Sequence, residues 1–194
     1  LNNQFNFFEQ TKSEDVLDLY INSVALTYGP HTIYMSPKRT EDFDIDMSLS
    51  LEGIGALLSS DGMYTIISSL VPGGPAEKSN KLKPNDKIIG IAQENEEVIT
   101  DVIGWRIDDV VQLIRGPKDT NVLLEIIPAT SLDESQTQVI EITRNVVKLE
   151  DQEAKKRIIH VKKDSSEYKL GVIELPNFYM DFNAYQRREY DFRS

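Results

Sequence analysis

The chain has 194 residues, with 32 Asp and Glu against 21 Lys and Arg and a formal net charge of −11. Its 40% hydrophobic content fits a globular protein, and its acidity argues against nucleic acid as a main partner, because phosphate binding needs a cationic face. The lack of cysteine excludes a disulfide framework and thiolate metal sites, and no apolar run approaches the roughly 18 residues of a transmembrane helix.

Residues 11–28 read as a helix. Thr11 with Glu14 is a capping box, and Leu17, Tyr20, Ile21, Val24 and Tyr28 recur at helical spacing. Gly29-Pro30 ends the pattern, and the single apolar face predicts packing against another element. The next stretch, through Pro37, is a loop with two prolines. Glu41, Asp42, Asp44 and Asp46 then read as a solvated acidic face.

From Met47 the pattern becomes one of short strands. Residues 47–51 alternate, 54–59 read as a strand, Asp61-Gly62 is a hairpin signal, and 64–71 return. Pro75 suits the first position of a short helix reaching about Asn80. Lys83-Pro84-Asn85-Asp86 is a turn before a strand over 87–92, and 93–97 form a polar turn. A helix over 106–115 ends at Gly116-Pro117, and strands follow over 121–128 and 137–144. The order predicts an α+β fold, a small β-barrel or sandwich with two helices, flanked by the N-terminal helix and a C-terminal strand segment. That last segment holds a charged stretch over 147–157 and two strands over 158–162 and 170–175 that can pair. A tail from Asn177 is rich in aromatics, with too little chain after it to cover them, so the structure is expected to continue in a longer parent.

The stretch with most chemical content is Leu51-Glu52-Gly53-Ile54-Gly55-Ala56-Leu57-Leu58. Two glycines around one apolar residue make a tight turn ahead of a strand. Successive N–H groups at such a turn form a nest for an anion, here a peptide carboxylate. The strand after it offers an edge to an added peptide strand. Other chemistry is weaker. His31 and His160 are far apart and lack metal-pair spacing. There is no Gly-x-Ser-x-Gly elbow and no phosphate loop, so no cofactor or metal is expected. Ser–Lys pairs such as Lys78-Ser79 read as surface residues. Lys155-Lys156-Arg157 reads as local pairing with Glu150, Asp151 and Glu153, and Trp105 as a packing residue.

Taken together, several stretches in fixed order resemble the carboxyl-terminal processing proteases, in the tail-specific branch. They are Tyr28-Gly29-Pro30-His31 through Pro37, Met47 through Gly55, Gly73-Gly74-Pro75-Ala76, Asp86-Lys87-Ile88-Ile89-Gly90, Gly104-Trp105-Arg106 through Gly116-Pro117, and Leu170-Gly171-Val172 through Tyr179. The resemblance covers nearly the whole chain. That family consists of serine peptidases with an inserted PDZ domain. It implies an N-terminal helical segment over 1–45, a PDZ domain over 46–146 and the beginning of the protease core over 147–194. The family's catalytic serine and lysine lie beyond its equivalent of Phe178-Tyr179, so no catalytic residue is carried over and the chain by itself is expected to be inactive. Asn85 stands where the family often has glycine, and Asn tolerates the left-handed conformation such a turn needs.

The resemblance further implies binding of free protein C-termini by β-augmentation. Gly53, Ile54 and Gly55 would hold the carboxylate. Leu51, Ile54, Ala56 and Leu58 would line the groove on the strand side, and Ile107, Val111 and Ile114 on the helix side, with Val110 and Leu113 nearer the core. Glu52, beside the nest, should weaken carboxylate binding unless it turns to solvent. The expected partners are protein or peptide C-termini, apolar at the end, and the remaining protease core. The expected location is the periplasm. The alternatives are a non-enzymatic PDZ adaptor and a complete protease within these residues.

Overall fold

The computed structural model describes residues 11–96, 98–131, 133, 135–149, 152–163, 166–181 and 185. The chain divides into two compact units, Leu1–Met47 and Ser48–Ser194.

In the first unit, helix α1 spans Ser13–Ala25. Its cap lies one residue later than the sequence suggested: the Lys12 N–H donates to Asp15 Oδ2 at 2.8 Å. The acidic stretch read as a solvated face is a second helix, α2, over Pro37–Ser48. The loop and α2 are tied back to α1 by polar contacts. Tyr34 N–H donates to Asn22 Oδ1 at 2.8 Å, and Arg39 Nη1 meets Asp18 Oδ2 at 3.2 Å. An ion pair this exposed contributes at most about 1 kcal/mol. No residue of α1 or α2 is buried. The apolar face of α1 stays open, with Val16, Leu17, Leu19, Tyr20 and Val24 exposed.

The second unit opens with β1 (Ser50–Gly53), β2 (Ala56–Asp61) and β3 (Tyr64–Leu70). The hairpin between β2 and β3 turns through Gly62, at φ 61°, with Asp61 opposite Tyr64. Pro75 opens the short helix α3 (Pro75–Ser79), which Asn80 ends in the left-handed conformation. Asn85 has φ 69°, as the turn before β4 (Lys87–Gln93) requires. After β5 (Thr100–Asp101) come helix α4 (Ile107–Ile114), β6 (Asn121–Ile127), β7 (Gln138–Thr143) and β8 (Asn145–Lys148).

The main sheet runs β2-β3-β4-β6-β7, with β5 beside β4. Every ladder found is antiparallel. The α+β class is as expected, but the sheet does not close into a barrel. The strand β8 was not expected: it begins where the alternating run ends and pairs with β1, Ser50 opposite Lys148 and Gly53 opposite Asn145. It therefore straddles the boundary that the sequence suggested at residue 146.

The core lies between α4, α3 and one face of the sheet. Period-two alternation on β6 sends Val122, Leu124 and Ile126 inward beside Ile67, Ile88, Ile91 and Val110. Full burial of each such aliphatic side chain contributes about 1.5–3 kcal/mol. Asp86 is buried as well, its carboxylate accepting from the Lys83 and Ala129 N–H groups at 2.8 Å each.

Beyond the core, β9 (Lys155–Lys163) and β10 (Ser166–Glu174) pair as a hairpin, with Ile158 opposite Gly171. The pairing is as expected, with longer strands than the expected 158–162 and 170–175. Arg157 pairs across the hairpin with Glu174 at 2.8 Å, and two of the acids expected to pair with the basic run, Glu150 and Asp151, lie outside the described residues. Ile158, Tyr168, Leu170 and Ile173 on it are exposed. Most of the aromatic tail from Asn177 lies outside the described residues.

Candidate peptide-binding groove

The turn between β1 and β2 is built from Ile54 and Gly55. Gly55 has φ 74°, a conformation that costs an L side chain strain. It also packs against the turn before α3: a Cβ on Gly55 would lie 3.2 Å from Gly74 Cα and 3.3 Å from Val147 Cγ2. The carbonyls of the turn are engaged. Ile54 O accepts from Ala76 N–H at 2.7 Å and Gly55 O from Val71 N–H at 2.9 Å. The N–H groups of Ile54 and Gly55 have no acceptor among the described residues. Backbone donors in buried segments are nearly always paired. Two successive free ones, with their carbonyls fixed in opposed bonds, form a donor pair suited to an anion.

β2 follows the turn directly. It pairs with β3 on one side only, and α4 packs beside it. Strand alternation leaves Leu57 exposed and turns Ala56 and Leu58 toward the core, where they are half-buried. On α4, Ile107 and Val111 are half-buried, four residues apart on one face. β2 thus keeps one unpaired edge, and half-buried apolar side chains of β2 and α4 lie beside it.

The predicted residues therefore separate into two groups. Leu51, Ala56, Leu58, Ile107 and Val111 are half-buried. Ile54 and Ile114 are 2% and 4% exposed and belong to the core cluster, as does Val110. Leu113 packs against that cluster. Glu52 turns away from the nest: its Oε2 accepts from the Lys118 N–H at 3.1 Å. Trp105, read as a packing residue, is 42% exposed.

One residue that sequence reasoning passed over is Arg144, only 2% exposed. Its Nε donates to Ile114 O at 2.8 Å, and its Nη2 to Leu113 O at 3.0 Å and Gln93 Oε1 at 2.6 Å. Its Nη1 donates to Thr120 Oγ1 at 2.9 Å and Asn121 O at 3.2 Å. Burial pulls its pKa below the ordinary arginine value, and the guanidinium stays protonated regardless. The signal was present in the sequence. Ile140, Ile142 and Arg144 are two apart, so the arginine follows two buried isoleucines on the inward face.

Residues 42–127 match the family described as PDZ domain, and residues 1–38 that described as tail specific protease N-terminal domain. A tail-specific protease of Haemophilus influenzae is 44% identical over 171 residues, 88% of this chain and 24% of that protein. The carboxy-terminal processing protease CtpA of Bacillus subtilis is 32% identical over 122 residues, 62% of this chain and 25% of its own length. The chain belongs to the tail-specific protease family.

It spans about a quarter of the length of those curated relatives. A solved PDZ domain of a carboxy-terminal protease from Vibrio cholerae, in complex with peptide, is 50% identical. It covers 52% of this chain and 100% of its own, with a TM-score of 0.49. In this tail-specific protease segment, β7, β8 and Arg144 lie beyond the PDZ match yet share the unit that contains the groove.

Proposed function

We propose that the groove binds the free, apolar C-termini of proteins by β-augmentation, as the substrate-recognition part of a periplasmic tail-specific serine-type endopeptidase. The observation that carries this reading is the pair of free N–H groups at Ile54 and Gly55, at the head of an unpaired strand edge. A carboxylate there accepts charge-assisted hydrogen bonds, about twice as strong as neutral ones. The peptide then runs along β2, and alternate side chains meet Ala56, Leu58, Ile107 and Val111. Membership of the protease family supports the rest: the peptidase chemistry belongs to a serine–lysine pair outside this chain, and the chain alone hydrolyses nothing.

The test is a titration of the whole chain, followed by amide NMR, with two peptides of one sequence. One ends in a free carboxylate after an apolar residue and the other in an amide. Saturable shifts over Gly53–Leu58 with the acid, and much weaker ones with the amide, support the reading. Equal responses to both, or none to either, refute it.

A further inference from the structure

The carboxylate-binding turn lies beside the wrong end of a helix. Anions are stabilised at helix N-termini, where the partial charge is positive, and opposed at C-termini, where carbonyl groups gather about half a negative charge. Here the C-terminal end of α4 abuts the turn. Gly116 N–H reaches Glu52 O at 3.5 Å, and a Cβ on Gly53 would lie 3.9 Å from Arg115 Cα.

Arg144 addresses this end of the helix. Its guanidinium takes the two last carbonyls of α4, those of Leu113 and Ile114. Gly116 brings it close, since a Cβ there would lie 3.0 Å from Arg144 Cζ. All five of its N–H groups are used on neutral oxygens. No carboxylate pairs with it among the described residues. A buried cation without a counter-anion is costly. A glutamine would avoid that cost but bring two donors to the five oxygens, and a methionine none, so arginine contributes both the donors and a net positive charge at this position.

We propose that Arg144 is a positioning residue that neutralises the negative end of the groove helix, so that a peptide carboxylate is accepted where the helix alone would repel it. The inference rests on the reading of the Gly53–Gly55 turn as a carboxylate site. Arg144 touches no ligand itself. It acts through α4, and its effect is confined to the charge on the peptide's last residue.

The quantity to measure is the ratio of Kd for the amidated peptide to Kd for the free-acid peptide, on the whole chain, by calorimetric titration. Arg144→Gln removes the charge and should lower that ratio about tenfold, the size of a dipole–charge interaction in a partly buried setting. Arg144→Lys keeps the charge with fewer donors and should hold the ratio within about threefold of the parent. If loosening of α4 were the whole effect, acid and amide would weaken together and the ratio would stay put. An unchanged ratio in Arg144→Gln therefore overturns the proposal. If Arg144→Gln does not fold, Gln93→Glu places a carboxylate on the intact arginine and should lower the ratio in the same direction. An unchanged ratio there overturns it equally. A parent chain with no preference for the acid sinks the carboxylate reading itself, before any variant is compared.

Discussion

Gly55→Ala is the perturbation whose cost the structure resolves into parts. Gly55 sits at φ 74°, and an L residue held in the left-handed region costs about 1–2 kcal/mol. The new methyl would then lie 3.2 Å from Gly74 Cα and 3.3 and 3.4 Å from the two Val147 methyls. Val147 can turn a little, but Gly74 is backbone, itself held by its N–H bond to Val71 O at 2.9 Å. Overpacking of this kind adds about 1–2 kcal/mol, for a total of about 2–4 kcal/mol.

Gly62 is the internal control. It has φ 61° but nothing within 4 Å of its would-be Cβ, so Gly62→Ala carries the dihedral cost of about 1–2 kcal/mol alone. At about 4 °C per kcal/mol for a unit of this size, thermal unfolding should fall by about 8–16 °C for Gly55→Ala and about 4–8 °C for Gly62→Ala. The difference between the two isolates the crowding. Equal losses would refute the claim that the turn is wedged between Gly74 and Val147.

Two further outcomes follow from buried or bonded carboxylates. Asp86→Asn must point an amide NH2 at one of the two N–H groups the carboxylate now accepts, from Lys83 and Ala129. It should cost about 1–3 kcal/mol in urea unfolding, and a loss under about 0.5 kcal/mol would contradict that account. Asp133 is held below the usual carboxylate range, first by the Ser135 N–H and then by the Ser135 hydroxyl. A depressed folded pKa means that this contribution is present above the unfolded value of about 3.9 and is lost as pH falls through the lower folded value. Ser135→Ala removes the smaller of the two causes, so the Asp133 carboxyl should titrate higher, part of the way back, in a carbon-detected NMR titration. A carboxyl that does not move would show that the hydroxyl plays no part.

Most of the second unit was readable because its elements announce themselves locally. The alternation of β6, the hairpin at Gly62, Pro75 at the start of α3 and the apolar stripe of α4 are all short-range signals. α2 and β8 escaped notice because each lacked a local signal or drew on distant chain. α2 has no buried residue and little apolar periodicity, and Phe43 is its one large exposed hydrophobe, so nothing in its pattern separates it from a solvated loop. β8 is four residues long and becomes a strand only by pairing with β1, nearly a hundred residues earlier. The resemblance put Ile54 and Ile114 on the groove, but both are buried in the core cluster, Ile54 folded inward by the turn and Ile114 by the last turn of α4. Arg144 had its signal in strand alternation. A charged residue at the end of such a run is ordinarily assigned to solvent, and that assumption concealed it.

The β1–β8 ladder also settles where the chain comes in and goes out. Leu149 N–H donates to Leu49 O at 2.8 Å, so about a hundred residues of folded chain begin and finish at one point. A segment with its two ends so joined can be spliced into a loop of another fold without stretching it, since the gap it must bridge is about that of a single strand pair.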